Sequence, residues 1–247
     1  VHVTAGAAAL AVRIILGKRL GWPKTPMRPH NLTMVMLGAG LLWFGWFGFN
    51  AGSAYAADNT AAIAATNTLL ATCAAGLAWL IVEKIRDKKA TSLGAASGIV
   101  AGLVAITPAC ANVTPMGAIL LGLVAGAVCA WAVTLKYKLG FDDSFDVVGI
   151  HLVGGLVGTL ALGFLASDLV EEGGQNGLLY GGDLNLLIVQ IIAAVGVMVY
   201  SFILASIIAL ALKATIGIRS DEEDEVNGID VAEHAETAYE LGDSGAG

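Results

Sequence analysis

Residues 184–212 read LNLLIVQIIAAVGVMVYSFILASIIALAL. This unbroken apolar run exceeds the roughly 20 helical residues that cross a hydrocarbon core of about 30 Å. A membrane barrel strand would need strict alternation of apolar and polar residues, and none is present, so the run is read as a spanning helix. Working outward, comparable stretches cover residues 32–57, 61–82, 93–110, 115–135 and 147–167, each bounded by charge or by Pro, Asn or Gly clusters. A partial span covers residues 1–16. The expected fold is all-α and integral to the membrane, with seven predicted transmembrane helices.

Composition agrees with that reading. The 247 residues are 57% hydrophobic and 13% charged, with a mean hydropathy of +0.77, which excludes a disordered chain, a secreted disulfide scaffold and a nucleic-acid binder. The 32 glycines suit helices that pack backbone to backbone in lipid. Cys73, Cys110 and Cys129 are odd in number and scattered through apolar runs, so they are read as packing residues, with no metal site and no cofactor expected. An apolar segment begins at Val1 with no charged leader, so the chain is expected to be a fragment lacking its N-terminal part.

The thirteen Lys and Arg residues set the direction of the spans. They fall at the first connection (Arg13, Lys18, Arg19, Lys24, Arg28), the third (Lys84, Arg86, Lys88, Lys89), the fifth (Lys136, Lys138) and after the last span (Lys213, Arg219). The alternate connections, around Asp58, around Asn112 and over residues 168–183, contain none. By the positive-inside rule the basic side is cytoplasmic, giving a multi-pass cell-membrane protein with a cytoplasmic C-terminus. Beyond Arg219 the chain holds ten acids and no base, from Asp221 to Asp243. Residues 1–219 are therefore read as the membrane domain and residues 220–247 as an acidic tail, either solvated or a docking segment.

Two histidines lie inside apolar spans, where ionisable side chains face a bundle interior or a pathway. Their surroundings repeat: Val1-His2-Val3-Thr4-Ala5-Gly6 against Ile150-His151-Leu152-Val153-Gly154-Gly155. The two spans run in opposite directions, as in the inverted repeats that place transporter sites near the bilayer midplane. A neutral histidine pair there can donate and accept a proton, lining a path for a small polar solute or relaying the proton itself. In residues 45–53, GWFGFNAGS, the positions of Trp46, Phe49 and Ser53 at i, i+3 and i+7 make one helical stripe. Such aromatics anchor helices at the interface. Beside a hydroxyl, they also hold small cations.

These segments, with Pro29-His30-Asn31-Leu32, Ser97-Gly98, Thr107-Pro108-Ala109-Cys110, Asp142-Asp143 and Gly228-Ile229-Asp230 with His234-Ala235-Glu236 and Tyr239, resemble the ammonium transporters of the Amt/Mep/Rh family, in its microbial Amt branch. The resemblance implies an eleven-helix inverted-repeat fold, of which this chain is the C-terminal portion, assembled as a homotrimer with one pore per subunit. It implies that His2 and His151 are the pore's histidine pair and that Phe49 is the inner gate phenylalanine. By the same resemblance Ser53 is the hydroxyl of the outer ammonium site, Trp46 the pore tryptophan and Asp146 the acid that supports the second histidine. Leu152 and Ala235 stand where the family often has Gly.

The function so implied is ammonium uptake across a lipid bilayer, without enzymatic chemistry. Ammonium is recruited at the aromatic and hydroxyl site and deprotonated, and ammonia passes the histidines while they relay the proton. The partners implied are ammonium or ammonia and a PII-type regulator at the cytoplasmic face. An ammonium sensor using the same pore as a binding site is the alternative. A bis-histidine haem protein is a further one, although such proteins carry two ligands on one helix and this chain does not.

Overall fold

The computed structural model describes all residues except 26, 171–172, 238 and 240–247. Among the described residues the chain is helical, with one isolated bridge between Val113 and Ala166. The helices are α1 (His2–Leu16), α2 (Leu32–Asn50), α3 (Asn59–Arg86), α4 (Ser92–Ile106), α5 (Pro115–Ala132), the short α6 (Leu135–Leu139), α7 (Val153–Leu165), α8 (Leu184–Thr215) and two tail helices, α9 (Glu222–Asn227) and α10 (Ile229–His234). A π-helical turn, Val148–Leu152, runs directly into α7.

Polar residues that bound the apolar runs start the helices. Asn31, Asp58, Thr91, Thr114 and Asp183 each accept a backbone N–H from the first turn of α2, α3, α4, α5 and α8 respectively. Pro115 follows Thr114 at the first helical position, where its missing N–H is harmless.

Among the described residues, five stretches are long and apolar enough to cross a membrane: Leu32–Ala54, Asn59–Arg86, Pro115–Leu139, Val148–Leu165 and Leu184–Thr215. The other two expected spans are the shorter apolar helices α1 and α4. Helices α1 and α4 have 15 residues each, about 22 Å at the helical rise. The stretch expected to span residues 93–110 is helical only to Ile106 and then turns. Pro108 has no N–H to carry the helical ladder onward. Irregular backbone at depth needs internal partners, and the buried Asn67 amide supplies them, donating to Cys110 O at 2.8 Å and Val113 O at 2.7 Å.

The core is a three-helix contact of α3, α4 and α5 built from small residues. Ala71 and Ala75 of α3 are fully buried, and Gly122 and Gly126 of α5 lie against their carbonyl oxygens so closely that an added Cβ would overlap them. Leu103, Val104, Ala105 and Ile106 of α4 are wholly buried beside this contact. Helices α2 and α8 lie on the outside, with most of their apolar side chains exposed.

The basic connections gather at one end of the bundle. Arg19 pairs with Asp142, Lys213 donates to Ile15 O, and Arg219 donates to Leu16 O. At the other end Ser167 N donates to Asn112 O, and Tyr180 and Thr114 join hydroxyls at 3.0 Å. The tail folds back onto the basic end: Arg219 pairs with Glu225, and Tyr239 Oη lies 3.1 Å from His30 Nδ1. The tail acids Glu240 and Asp243 lie outside the described residues.

Candidate functional site

The repeated histidine contexts meet in space. His2 begins α1, His151 sits in the π-turn, and their Nδ1 atoms face each other at 3.4 Å with ring centroids 5.4 Å apart. The glycine four residues after each histidine makes this approach possible. Gly6 lies against the backbone of Leu152, and a Cβ on Gly155 would stand 3.0 Å from Val3 N. Each helix thus presses its glycine onto the residue following the other's histidine. Leu152, where the resemblance would favour Gly, seats its Cβ against Gly6.

A wide turn of this kind is rare in helices and concentrates at functional sites. Here Asp143 holds it: its buried carboxylate accepts N–H bonds from Val147 at 2.9 Å and Val148 at 2.8 Å. Asp146, expected as the support of His151, takes a left-handed backbone conformation (φ 57°) and pairs with Lys136 instead. Its carbonyl accepts the N–H of Ile150, the residue before His151, at 2.8 Å.

The aromatic stripe reaches the same place. The Trp46 ring stacks on His2 at 5.3 Å and 20°, and its Nε1 donates to Thr107 Oγ1 at 2.9 Å. Phe49 is 48% exposed and lies 6.1 Å from His2 and 5.4 Å from Trp46. Ser53 stands apart on a 3-10 turn, Gly52–Ala54, with its hydroxyl donating to Phe49 O at 2.7 Å. Its lone pairs remain as acceptors. The structure thus brings His2, His151, Trp46 and Phe49 together, leaves Ser53 one turn away, and sets Asp146 beyond the group.

Sequence reasoning passed over Thr107, Asp143 and Thr159. Thr107 and Thr159 line a cavity of about 120 Å³ with Val1, His2, Val3, Pro108 and Gly155. The available signals were Thr107-Pro108 and Asp142-Asp143, both read only as parts of family motifs. His2 Nε2 is buried with no hydrogen-bond partner, so the site offers an open polar atom to a small solute. Among the described residues no three His, Cys, Asp or Glu side chains converge as a metal set.

Below the site, Asp142 ties the first connection to the loop ahead of His151. Its side chain is 1% exposed and pairs with Arg13 at 3.0 Å and with Arg19 through Nε and Nη2 at 2.8 Å each. Burial pushes the carboxyl up, but the hydrogen bonds and charge of Arg19, with Arg13, outweigh it and hold Asp142 below the ordinary carboxylate range. A depressed folded value means that the stabilisation is present above about pH 3.9 and is lost as pH falls through the folded value. Asp142→Asn is expected to destabilise the protein by about 2 kcal/mol at pH 7, less than a fully buried pair would lose because Arg19 is a third exposed. Thermal melting in detergent should show the gap between native and variant closing towards pH 3; a gap independent of pH would remove Asp142 as its cause.

The profile of the Ammonium Transporter Family matches residues 1–239. The chain is 58% identical over 246 residues to an ammonium transporter of Mycobacterium tuberculosis, covering 98% of this chain and 52% of that one. The crystal structure of Candida albicans Mep2 superimposes with a TM-score of 0.83 at 36% identity, over 91% of this chain and 51% of that one. A structure described as a sensor Amt protein gives a TM-score of 0.84 at 32% identity, over 94% and 58%. The chain spans about half the length of the relatives it matches.

Proposed function

This chain belongs to the ammonium transporter family, and we propose on that premise that it supplies the histidine-lined half of an ammonium-conducting pore. The observation that carries the reading is the His2–His151 contact at 3.4 Å between two helices whose sequences repeat. Taking NH4+ into an apolar pore would cost several kcal/mol, whereas ammonia crosses far more readily. Ammonium is recruited where the Phe49 and Trp46 ring faces and the Ser53 acceptor replace part of its water. It gives up its proton there, and ammonia continues past His2 and His151 while the proton passes separately along the imidazoles. Neutral imidazoles suit both tasks, since each ring carries one donor and one acceptor. The chemistry is transport and proton transfer, with no covalent catalysis.

The gathering of bases at one end supports a cytoplasmic placement of that end in the cell membrane, with the tail beside it. Assembly as a homotrimer and a PII-type regulator at the inner face belong to the same reading. The test is current from the intact protein in proteoliposomes: an ammonium pulse should produce a saturating, ammonium-dependent current or alkaline shift. Ammonium binding with neither signal would replace this reading with that of a sensor. The likeness to the sensor Amt protein and the tail folded onto the first connection through Tyr239 and His30 favour that second reading.

A further inference from the structure

Lys136 on α6 carries a primary ammonium group at the inner end of the bundle, and its side chain is 13% exposed. The Nζ atom donates to Asp146 Oδ1 at 2.5 Å and to Asp143 O at 3.0 Å, and it lies 5.4 Å from the centroid of the Tyr137 ring. A carboxylate, a carbonyl and an aromatic face are the groups that replace water around a small ammonium ion. Both oxygens come from the turn that launches the His151 segment. Asp143 uses its carboxylate to cap Val147 and Val148 and its carbonyl for Lys136, while Asp146 stands in left-handed backbone with its own carbonyl on Ile150 N. The ammonium group therefore bridges the first and last residues of the turn that aims His151.

We propose that the Asp146 carboxylate, the Asp143 carbonyl and the Tyr137 ring form a second binding site for small primary ammonium ions, filled here by the chain's own Lys136. Free ammonium or methylammonium takes the site when that side chain swings out. Exchange leaves the charge of the cradle unchanged, so the turn under His151 survives it. Burial raises the Asp146 carboxyl above the ordinary carboxylate range, the hydrogen bond and charge of Lys136 pull against it, and the Asp143 charge adds to the rise, so a cation in the cradle favours the ionised acid. A tethered ligand has an effective concentration of the order of millimolar or above. Free ions therefore displace Lys136 only when they reach comparable levels, which makes this a low-affinity site.

Lys136→Met keeps the apolar stem and removes the cation. In the intact protein in detergent, this variant should melt below native in NaCl. Methylammonium chloride, replacing NaCl at constant ionic strength, should restore at least half of the loss, with half-saturation on the order of 10 mM. Tetramethylammonium, which has no N–H donor, should restore nothing, and adding Asp146→Asn should abolish the methylammonium response. An upshift no larger than that in NaCl, or one that persists with Asp146→Asn, overturns the site. If Lys136→Met cannot be recovered folded in NaCl, purification in about 0.2 M methylammonium chloride should recover it; failure in both salts also overturns the site. Melting reads the cradle without any conduction, so a failed current assay leaves this result standing, and the converse holds too.

Discussion

Replacing His151 with alanine is expected to cut ammonium-dependent current in the intact protein by about 10- to 100-fold, while insertion and melting temperature stay close to native. The imidazole is half of a facing pair, and its loss leaves His2 Nδ1 without its partner at 3.4 Å. A solute crossing that point loses one hydrogen bond, worth about 1–3 kcal/mol in an apolar setting, and each 1.36 kcal/mol added to a barrier is tenfold in rate. Stability should change little, because the packing of this segment rests on Gly6 against Leu152 and on Asp143 beneath the turn rather than on the ring. The measurement is current per inserted protein, with potassium tested alongside to detect lost discrimination. Native current and native selectivity in a correctly inserted His151→Ala protein would make the histidine a packing residue only.

Gly126→Val is expected to disrupt the core of the fold. The added Cβ would overlap Ala75 O, a backbone atom on the buried face of α3 that cannot swing aside, so α3 and α5 must separate along their length. Overpacking of this kind costs about 3 kcal/mol or more, a large share of the total stability of a typical domain. The variant is expected to aggregate in detergent or to melt about 6–12 °C or more below native. Gly196→Ala on α8, where a Cβ meets nothing within 4 Å, should melt within a few degrees of native. Equal losses in both variants would show that the contact with Ala75 is not the cause.

Much of the architecture was legible because it depends on short-range composition. An apolar run must be a helix wherever water is absent, and Asn31, Asp58, Thr91, Thr114 and Asp183 mark helix starts with the chemistry that caps them. The alternation of bases between connections also followed from the sequence, and the helices gather those bases at one end. The span expected over residues 93–110 was overstated because hydropathy averages over Pro108, whereas the helix ends at Ile106 and Asn67 satisfies the turn from a different helix.

The candidate site divides along the same line. Sequence by itself determined that two histidines sit in repeated contexts, that Trp46 and Phe49 share a helical face, and that small residues crowd the spans; these are local patterns of period and composition. Tertiary structure alone decided that His2 and His151, 149 positions apart, meet at 3.4 Å, and that Thr107, in the turn after α4, receives the Trp46 indole N–H. It also decided which acid does what. Asp143 and Asp146 both precede His151, and spacing cannot separate their roles. One left-handed φ at Asp146 turns its carboxylate to Lys136, while Asp143 keeps the N–H groups beneath the histidine. That choice depends on a backbone dihedral and on the position of a lysine ten residues earlier, neither of which any local pattern specifies.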